Sequence, residues 1–216
     1  MLASTHPQET SVQLYYHPGS SNSRRVLLAA DHLGIAFDGI EIDLARPEDR
    51  RRLEQVNPNS KVPVLVDGDF ILWESCAIMQ YLAEGTPGQT VWPQDRRARA
   101  DVSRWMFWAC GHFAPAVSIL TWEHLWKKRV TGEDADAAGV ARGETDLAVA
   151  ARVLDAHLAT RRWIAGDGVT LADFAVAGPL IYRDRARLPL ADFPHVLAWF
   201  ARVQALPAWQ RTEHDW

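Results

Sequence analysis

The sequence predicts an α/β domain built on a mixed four-stranded sheet, followed by an all-α domain. Three observations carry that prediction. Strand-like and helix-like segments alternate as far as Glu84, Asp67-Gly68 stands between two apolar β-rich runs as a hairpin signal, and beyond the Pro/Gly-rich stretch Gly85–Asp95 only helical spacing remains.

Each element has its own reason. Val12–Tyr15 is short, β-rich and closed by Pro18-Gly19, so it reads as a strand. From Ser23 the period changes: Val26, Leu27, Ala30 and Leu33 share a helical face and Gly34 stops the run. Ser23 is the expected N-cap, with Arg24 and Arg25 on the solvated face. "FDGIEIDL" (Phe37–Leu44) is a second strand, and Pro47 opens a polar helix with acidic residues in its first turn. Val62–Ser75 supplies the hairpin, and "ESCAIMQYLAE" a helix with Ala77, Ile78, Tyr81 and Leu82 on one face. A strand–helix–strand unit implies a parallel pair and the tight hairpin an antiparallel one, so the sheet is mixed.

Past the linker, Val102, Trp105, Met106, Ala109 and Phe113 keep helical spacing. So do Leu147, Ala151, Leu154 and Leu158, then Val196, Trp199, Phe200 and Val203, with an irregular patch at Thr131–Gly139. The expected organisation is a loose polar tail (1–10, not a signal peptide), an α/β domain (11–85), a linker (86–95) and a helical domain (96–216).

Composition narrows the function. A net charge of −4 over 216 residues makes no electrostatic case for nucleic acid or an anionic membrane. No apolar run approaches the ~18 residues of a membrane span. Cys76 and Cys110 lack the paired spacing of a disulfide framework or a zinc site, which points to a reducing, cytoplasmic setting and no metal. Ten tryptophans fit either a helical core rich in large aromatics or an apolar pocket for aromatic ligands.

Four motifs carry chemistry. "HPGSSNSRRVLL" (His17–Leu28) crowds small polar side chains onto a strand-to-helix corner. "NSKVPVL" (Asn59–Leu65) sets Pro63 ahead of a strand, either as an ordinary trans start or as a cis bond turning the Val62 backbone outward to pair with an extended peptide. "WES" (Trp73–Ser75) puts Glu74 and Ser75 at a helix N-terminus, as a plain cap or as a carboxylate site. In "GVTLADFAVAG" (Gly168–Gly178), Thr170 and Asp173 form a capping box, with Val169 and Phe174 spaced as a staple. No histidine or second carboxylate accompanies Asp173, so its role is structural.

In this order and spacing the motifs resemble a cytosolic glutathione transferase over nearly the whole chain from Val12. The resemblance implies a thioredoxin-like N-terminal domain that binds glutathione as co-substrate, a helical domain that shapes the pocket for a small hydrophobic electrophile, and a homodimer. By the same resemblance Val62, with Pro63 in cis, pairs with the cysteinyl part of glutathione. Glu74 takes its amine, Ser75 its γ-glutamyl carboxylate and Lys61 its glycine carboxylate.

Such chemistry needs a thiolate, and a free thiol with a pKa of about 8.5 is mostly protonated at neutral pH. A hydroxyl or amide donor at the corner supplies the stabilisation. Ser20 aligns with the donor of serine-type subfamilies and ranks first; Asn22, which matches a nu-like asparagine, ranks second; Ser21 is third. "SSNSRRV" also resembles the zeta pattern with Asn22 in place of its cysteine, and "LYYHPGSS" the beta pattern with Ser21 in place of its cysteine. The wall for the second substrate is expected from Trp105, Trp108 and His112; for Trp122 and Trp126 the sequence leaves core and pocket equally open. The expected activity is glutathione transfer to small, aromatic or halogenated electrophiles. The alternatives are a glutathione-dependent disulfide or peroxide reductase and a non-catalytic binding protein of the same fold.

Overall fold

The computed structural model describes residues 12–214; the expected tail at 1–10 lies outside the described residues. Strand β1 (Gln13–Tyr16) leads through helix α1 (Ser21–Leu33) to a parallel partner, β2 (Asp38–Glu41). After α2 (Pro47–Glu54), β3 (Val64–Asp67) runs antiparallel to β1, and β4 (Phe70–Trp73) returns against β3. The sheet order is β2-β1-β3-β4, a mixed four-stranded sheet of thioredoxin-like type. Asp67 pairs with Phe70 across the turn, where Gly68 has φ +62, a value that favours glycine.

Strand alternation divides the core. Leu14 and Leu65 join the main core with α1 and α3 (Ser75–Glu84), while Tyr15 and Val64 join a smaller core with Leu53 of α2.

The helical domain opens with α4 (Arg96–Trp108), whose N-cap Asp95 accepts from the Arg97 and Ala98 N–H groups. The same helix continues without a break through a π turn (Ala109–Phe113), α5 (Ala114–Thr121), a second π turn (Trp122–Trp126) and α6 (Lys127–Thr131). Gly132, at φ +79, ends it. Then come α7 (Ala137–Leu158), α8 (Leu171–Ala177) with a 3₁₀ turn (Gly178–Tyr182), α9 (Pro194–Gln204) and α10 (Pro207–Arg211). Among the described residues no helix is long and apolar enough to cross a membrane.

Two expectations for α1 are corrected. The N-cap is Ser20, whose Oγ accepts from the Ser23 N–H at 3.2 Å; Ser23 is fully buried in the first turn, accepting from the His17 N–H. Arg24 and Arg25 are not solvated either, at 4% and 2% exposed. Around these two arginines α1 is packed on both sides, by α3 on one and by α8, the 3₁₀ turn and α10 on the other. Arg24 donates to the Trp209 carbonyl at 2.7 Å and lies over the Trp209 ring, and Arg25 donates through Nε to the Ala175 carbonyl at 2.8 Å. Gly178 permits this approach, since a Cβ there would sit 2.8 Å from the Ser21 carbonyl oxygen and 2.6 Å from Arg25 Cγ.

The Pro/Gly-rich linker is packed rather than loose. Val91 and Trp92 are buried, and the Val91 carbonyl accepts from the Leu171 N–H at 3.0 Å, fastening the linker to the start of α8. Asp173 is the hub of that region. Its carboxylate accepts from the Thr170 N–H and hydroxyl, the Ile164 N–H and the Trp199 indole N–H, all at 2.8–3.1 Å.

Candidate functional site

The α1 corner is held by side chains from distant elements. The Tyr182 hydroxyl donates to the Gly19 carbonyl at 2.5 Å and accepts from the Ser21 N–H at 3.2 Å, fixing the loop to the helical domain. Burial raises the Tyr182 pKa, so the phenol stays protonated and keeps both bonds. On the strand side, His17 Nδ1 accepts from the Gly19 N–H at 3.0 Å. The corner is therefore braced from both the strand side and the helical domain.

Beside it opens a cleft of about 650 Å³, walled by His17, Ser20 and Asn22, by Lys61 and Val62, and by Trp122, Trp126 and Val130 from the helical domain. Arg50, Lys61 and Arg129 outnumber the one carboxylate, Asp43, so the lining favours an anionic guest. Arg50 is itself anchored through Nε on the Leu44 carbonyl.

Two free donors face this space. The Ser20 oxygen is engaged as a cap acceptor, which leaves its O–H available. Asn22 Oδ1 accepts from Arg25 Nη1 at 2.8 Å. A guanidinium has only donors to offer, so it selects the amide's oxygen and leaves the Nδ2 hydrogens for the cleft.

The Val62–Pro63 bond is cis, and the β3 ladders begin only at Val64, so the Val62 N–H and C=O take no part in either of them. Lys61 is exposed at the cleft rim, and its carbonyl accepts from Asn57 Nδ2 at 2.7 Å. Glu74 and Ser75 lie outside the cleft lining but join it through one group. Arg25 Nη1, which holds Asn22, also reaches Ser75 Oγ at 3.4 Å. Ser75 is buried as the first residue of α3, whereas Glu74 is exposed with φ +78 and ψ +110, a conformation that costs a non-glycine residue about 1–3 kcal/mol.

The aromatic wall differs from expectation. Trp105 is in the core, its ring 4.4 Å from that of His157 on α7 and 5.0 Å from that of Trp108. Trp108 stacks on Phe113, and His112 is exposed on the π turn. None of the three lines the cleft; Trp122 and Trp126 do. Sequence reasoning also missed Tyr182, Arg129 and the role of Arg25. For Arg25 the signal available was an arginine next to apolar helix positions; for Tyr182 there was none. Among the described residues no group of three His, Cys, Asp or Glu side chains is arranged to hold a metal.

Similarity to known proteins agrees with this architecture. Residues 10–84 match the family "Glutathione S-transferase, N-terminal domain" and residues 112–207 match "Glutathione S-transferase, C-terminal domain". Glutathione S-transferase 3 of Zea mays is 34% identical, with 93% of this chain and 92% of the maize protein covered. A glutathione S-transferase structure from Xanthobacter autotrophicus is 32% identical with a TM-score of 0.79, covering 92% of this chain and 95% of that one. A theta class glutathione S-transferase from Xanthomonas axonopodis pv. citri, solved with glutathione bound, is 30% identical with a TM-score of 0.81, covering 95% and 98%.

Proposed function

The chain belongs to the glutathione S-transferase family, and from that premise we propose that it binds glutathione in the cleft and activates the thiol for attack on a small hydrophobic electrophile. The observation that carries this reading is the convergence of Ser20, Asn22, Lys61 and Val62 on one cleft at the N-terminus of α1. In it the tripeptide's cysteinyl backbone pairs with Val62, the glycine carboxylate meets Lys61, and the γ-glutamyl end meets Glu74 and Ser75. Each pairing matches charge or donor to acceptor. The sulfur then lies by Ser20 and Asn22, at the positive end of α1, where a thiolate is favoured over a thiol. Ser20 is the first choice as donor.

Trp122, Trp126 and Val130 form the apolar side of the cleft, which suits an aromatic or halogenated substrate in place of the wall expected from Trp105, Trp108 and His112. A cytoplasmic setting and a role in detoxification accord with this chemistry.

Retention on immobilised glutathione, followed by turnover of an aryl halide and of a disulfide, tests the reading. Retention with aryl-halide turnover is expected. Faster turnover of the disulfide favours a reductase instead, and no retention favours a binding protein of the same fold.

The strained Glu74 gives a sharper check. Glu74→Gly relieves the positive φ and is expected to raise stability by about 1 kcal/mol. The same change removes a charged partner of the glutathione amine and weakens binding by about tenfold. A variant with unchanged affinity overturns the role of Glu74. A homodimer is also expected. Phe70 and Tyr81 meet ring to ring on the exposed side of the sheet domain, and Phe107 on α4 is 76% exposed. Light scattering at twice the 24.3 kDa chain mass is the check; a monomer at micromolar concentration refutes it.

A further inference from the structure

Arg25 presents a problem that the glutathione cleft does not solve. It is a permanently charged guanidinium, 2% exposed, and among the described residues no carboxylate lies within ion-pair reach of it. Its Nη2 is buried without a partner. A buried charge of this kind requires a counter-charge, and the backbone carbonyl of Ala175 and the neutral Asn22 and Ser75 side chains provide none. The remaining contact of Nη1 is Cys110 Sγ, at 3.5 Å.

Cys110 is exposed, on the π turn that interrupts the long helix, and π turns of this kind recur at functional positions. Its sulfur is also 3.5 Å from Cys76 Sγ, carried by the second residue of α3 in the other domain. A thiolate at Cys110 thus receives a hydrogen bond from the Cys76 thiol and the charge of Arg25. Those two contacts hold the Cys110 pKa down to about 6, against the effect of its partial burial. The Cys76 thiol is pushed up, because its proton serves Cys110 and because it is buried. Neither cysteine lines the glutathione cleft.

We propose that Cys110 and Cys76 form a second thiol site, in which Cys110 is the nucleophile and Cys76 the resolving thiol of an interdomain dithiol–disulfide couple oxidised by glutathione disulfide. The Cys110 thiolate attacks one sulfur of glutathione disulfide, breaking its S–S bond, forming a mixed disulfide at Cys110 and releasing one glutathione thiolate. The Cys110 anion is then consumed, so Cys76 loses the acceptor that retained its proton and gives that proton up to the medium. The Cys76 thiolate attacks Cys110 Sγ, expels the second glutathione thiolate and closes a Cys76–Cys110 bond. Two electrons pass from the cysteine pair to glutathione disulfide, which becomes two glutathione molecules. The sulfurs need only close from 3.5 Å to a bond of about 2.0 Å. The bond staples α3 to the helical domain directly behind Ser75.

The test reads covalent mass on the full chain, so it stands whatever the outcome for transferase turnover. The chain is incubated with glutathione disulfide at pH 7, quenched in acid and mapped by peptide mass spectrometry. Wild type is expected to lose two hydrogens and yield a Cys76–Cys110 linked peptide. Cys76→Ser is expected to stop with one glutathione on Cys110, and Cys110→Ser to react at least tenfold more slowly. In the unmodified wild type, alkylation of Cys110 by iodoacetamide is expected to persist to a pH well below that at which an ordinary thiol reacts. Glutathione added to Cys76 instead, an interchain link on a non-reducing gel, or a native chain left unmodified while the denatured chain reacts would each overturn the proposal.

Discussion

Asp173→Ala is expected to lower the free energy of unfolding by about 3–5 kcal/mol, a large share of the stability of a chain this size. Asp173 is fully buried, and its two carboxylate oxygens accept from four donors. Alanine leaves the Ile164 and Thr170 N–H groups and the Trp199 indole N–H in a dry interior without a partner. Each orphan costs about 1–3 kcal/mol before relaxation, and because they share one site the costs do not simply add. Asp173→Asn keeps the shape but turns an NH2 donor toward existing donors, so it also destabilises, by a smaller amount. Urea denaturation is the measurement, read as a shift in midpoint at constant m. A loss below about 1 kcal/mol for Asp173→Ala would show that the hub is not structural.

The same carboxyl gives a pH signature. Burial raises the Asp173 pKa above its ordinary value of 3.8, outweighing the hydrogen bonds from Ile164, Trp199 and Thr170 that lower it. When protonated, Oδ2 donates to Thr170 Oγ1 across the 3.1 Å contact already present. A raised folded-state pKa means that the native chain binds this proton more tightly than the unfolded chain does. The stabilisation is therefore complete below 3.8 and is lost as pH rises through the folded-state value. In Asp173→Asn that component of the pH dependence disappears.

What the sequence disclosed, and what it withheld, follows the range of the interactions involved. Asp67-Gly68 and the Thr170–Asp173 pair are local signals, each set by residues within three positions of one another, and both took the expected form, whereas Val62-Pro63 read locally left trans and cis open and is cis, as the resemblance implied. Arg24 and Arg25 find their partners 185 and 150 residues away, on segments whose approach no helical wheel on α1 encodes. That is why two arginines read as solvated turned out to be buried. The cap moved from Ser23 to Ser20 for a related reason, since His17 and Tyr182 fold the corner so that the helix starts earlier. The aromatic residues that line the cleft lie further along the long helix than Trp105, Trp108 and His112. Trp105 and Trp108 precede both π turns and pack on His157 and Phe113, contacts set by tertiary packing and not by helical spacing, whereas Trp122 and Trp126, in the second π turn, line the cleft. Cys76 and Cys110, 34 positions apart, carry no spacing signal at all and meet only because the two domains pack.

Ser20→Ala is expected to raise the pKa of glutathione's thiol in the complex by about 1–2 units and to slow aryl-halide turnover at neutral pH by about tenfold to a hundredfold. The magnitude follows from the donor's task. A hydrogen bond to a charged sulfur is worth about 1.5–3 kcal/mol, and each pKa unit corresponds to about 1.4 kcal/mol. Asn22→Ala is expected to move the thiol much less, because the Asn22 side chain sits on the more exposed side of the corner, where water competes for the sulfur. Ser20→Ala carries a second consequence that Asn22→Ala does not. It deprives the Ser23 N–H of its cap acceptor and costs about 1 kcal/mol of stability. Ser20→Thr restores both the cap and the donor, so it separates a misfolded corner from a missing hydroxyl. The thiolate absorbance of bound glutathione, followed against pH, reads the ionisation directly, and the pH dependence of turnover must move with it. If the thiol pKa stays fixed in Ser20→Ala and rises in Asn22→Ala, the amide is the donor, and Arg25, by holding that amide's oxygen, becomes the residue that aims it.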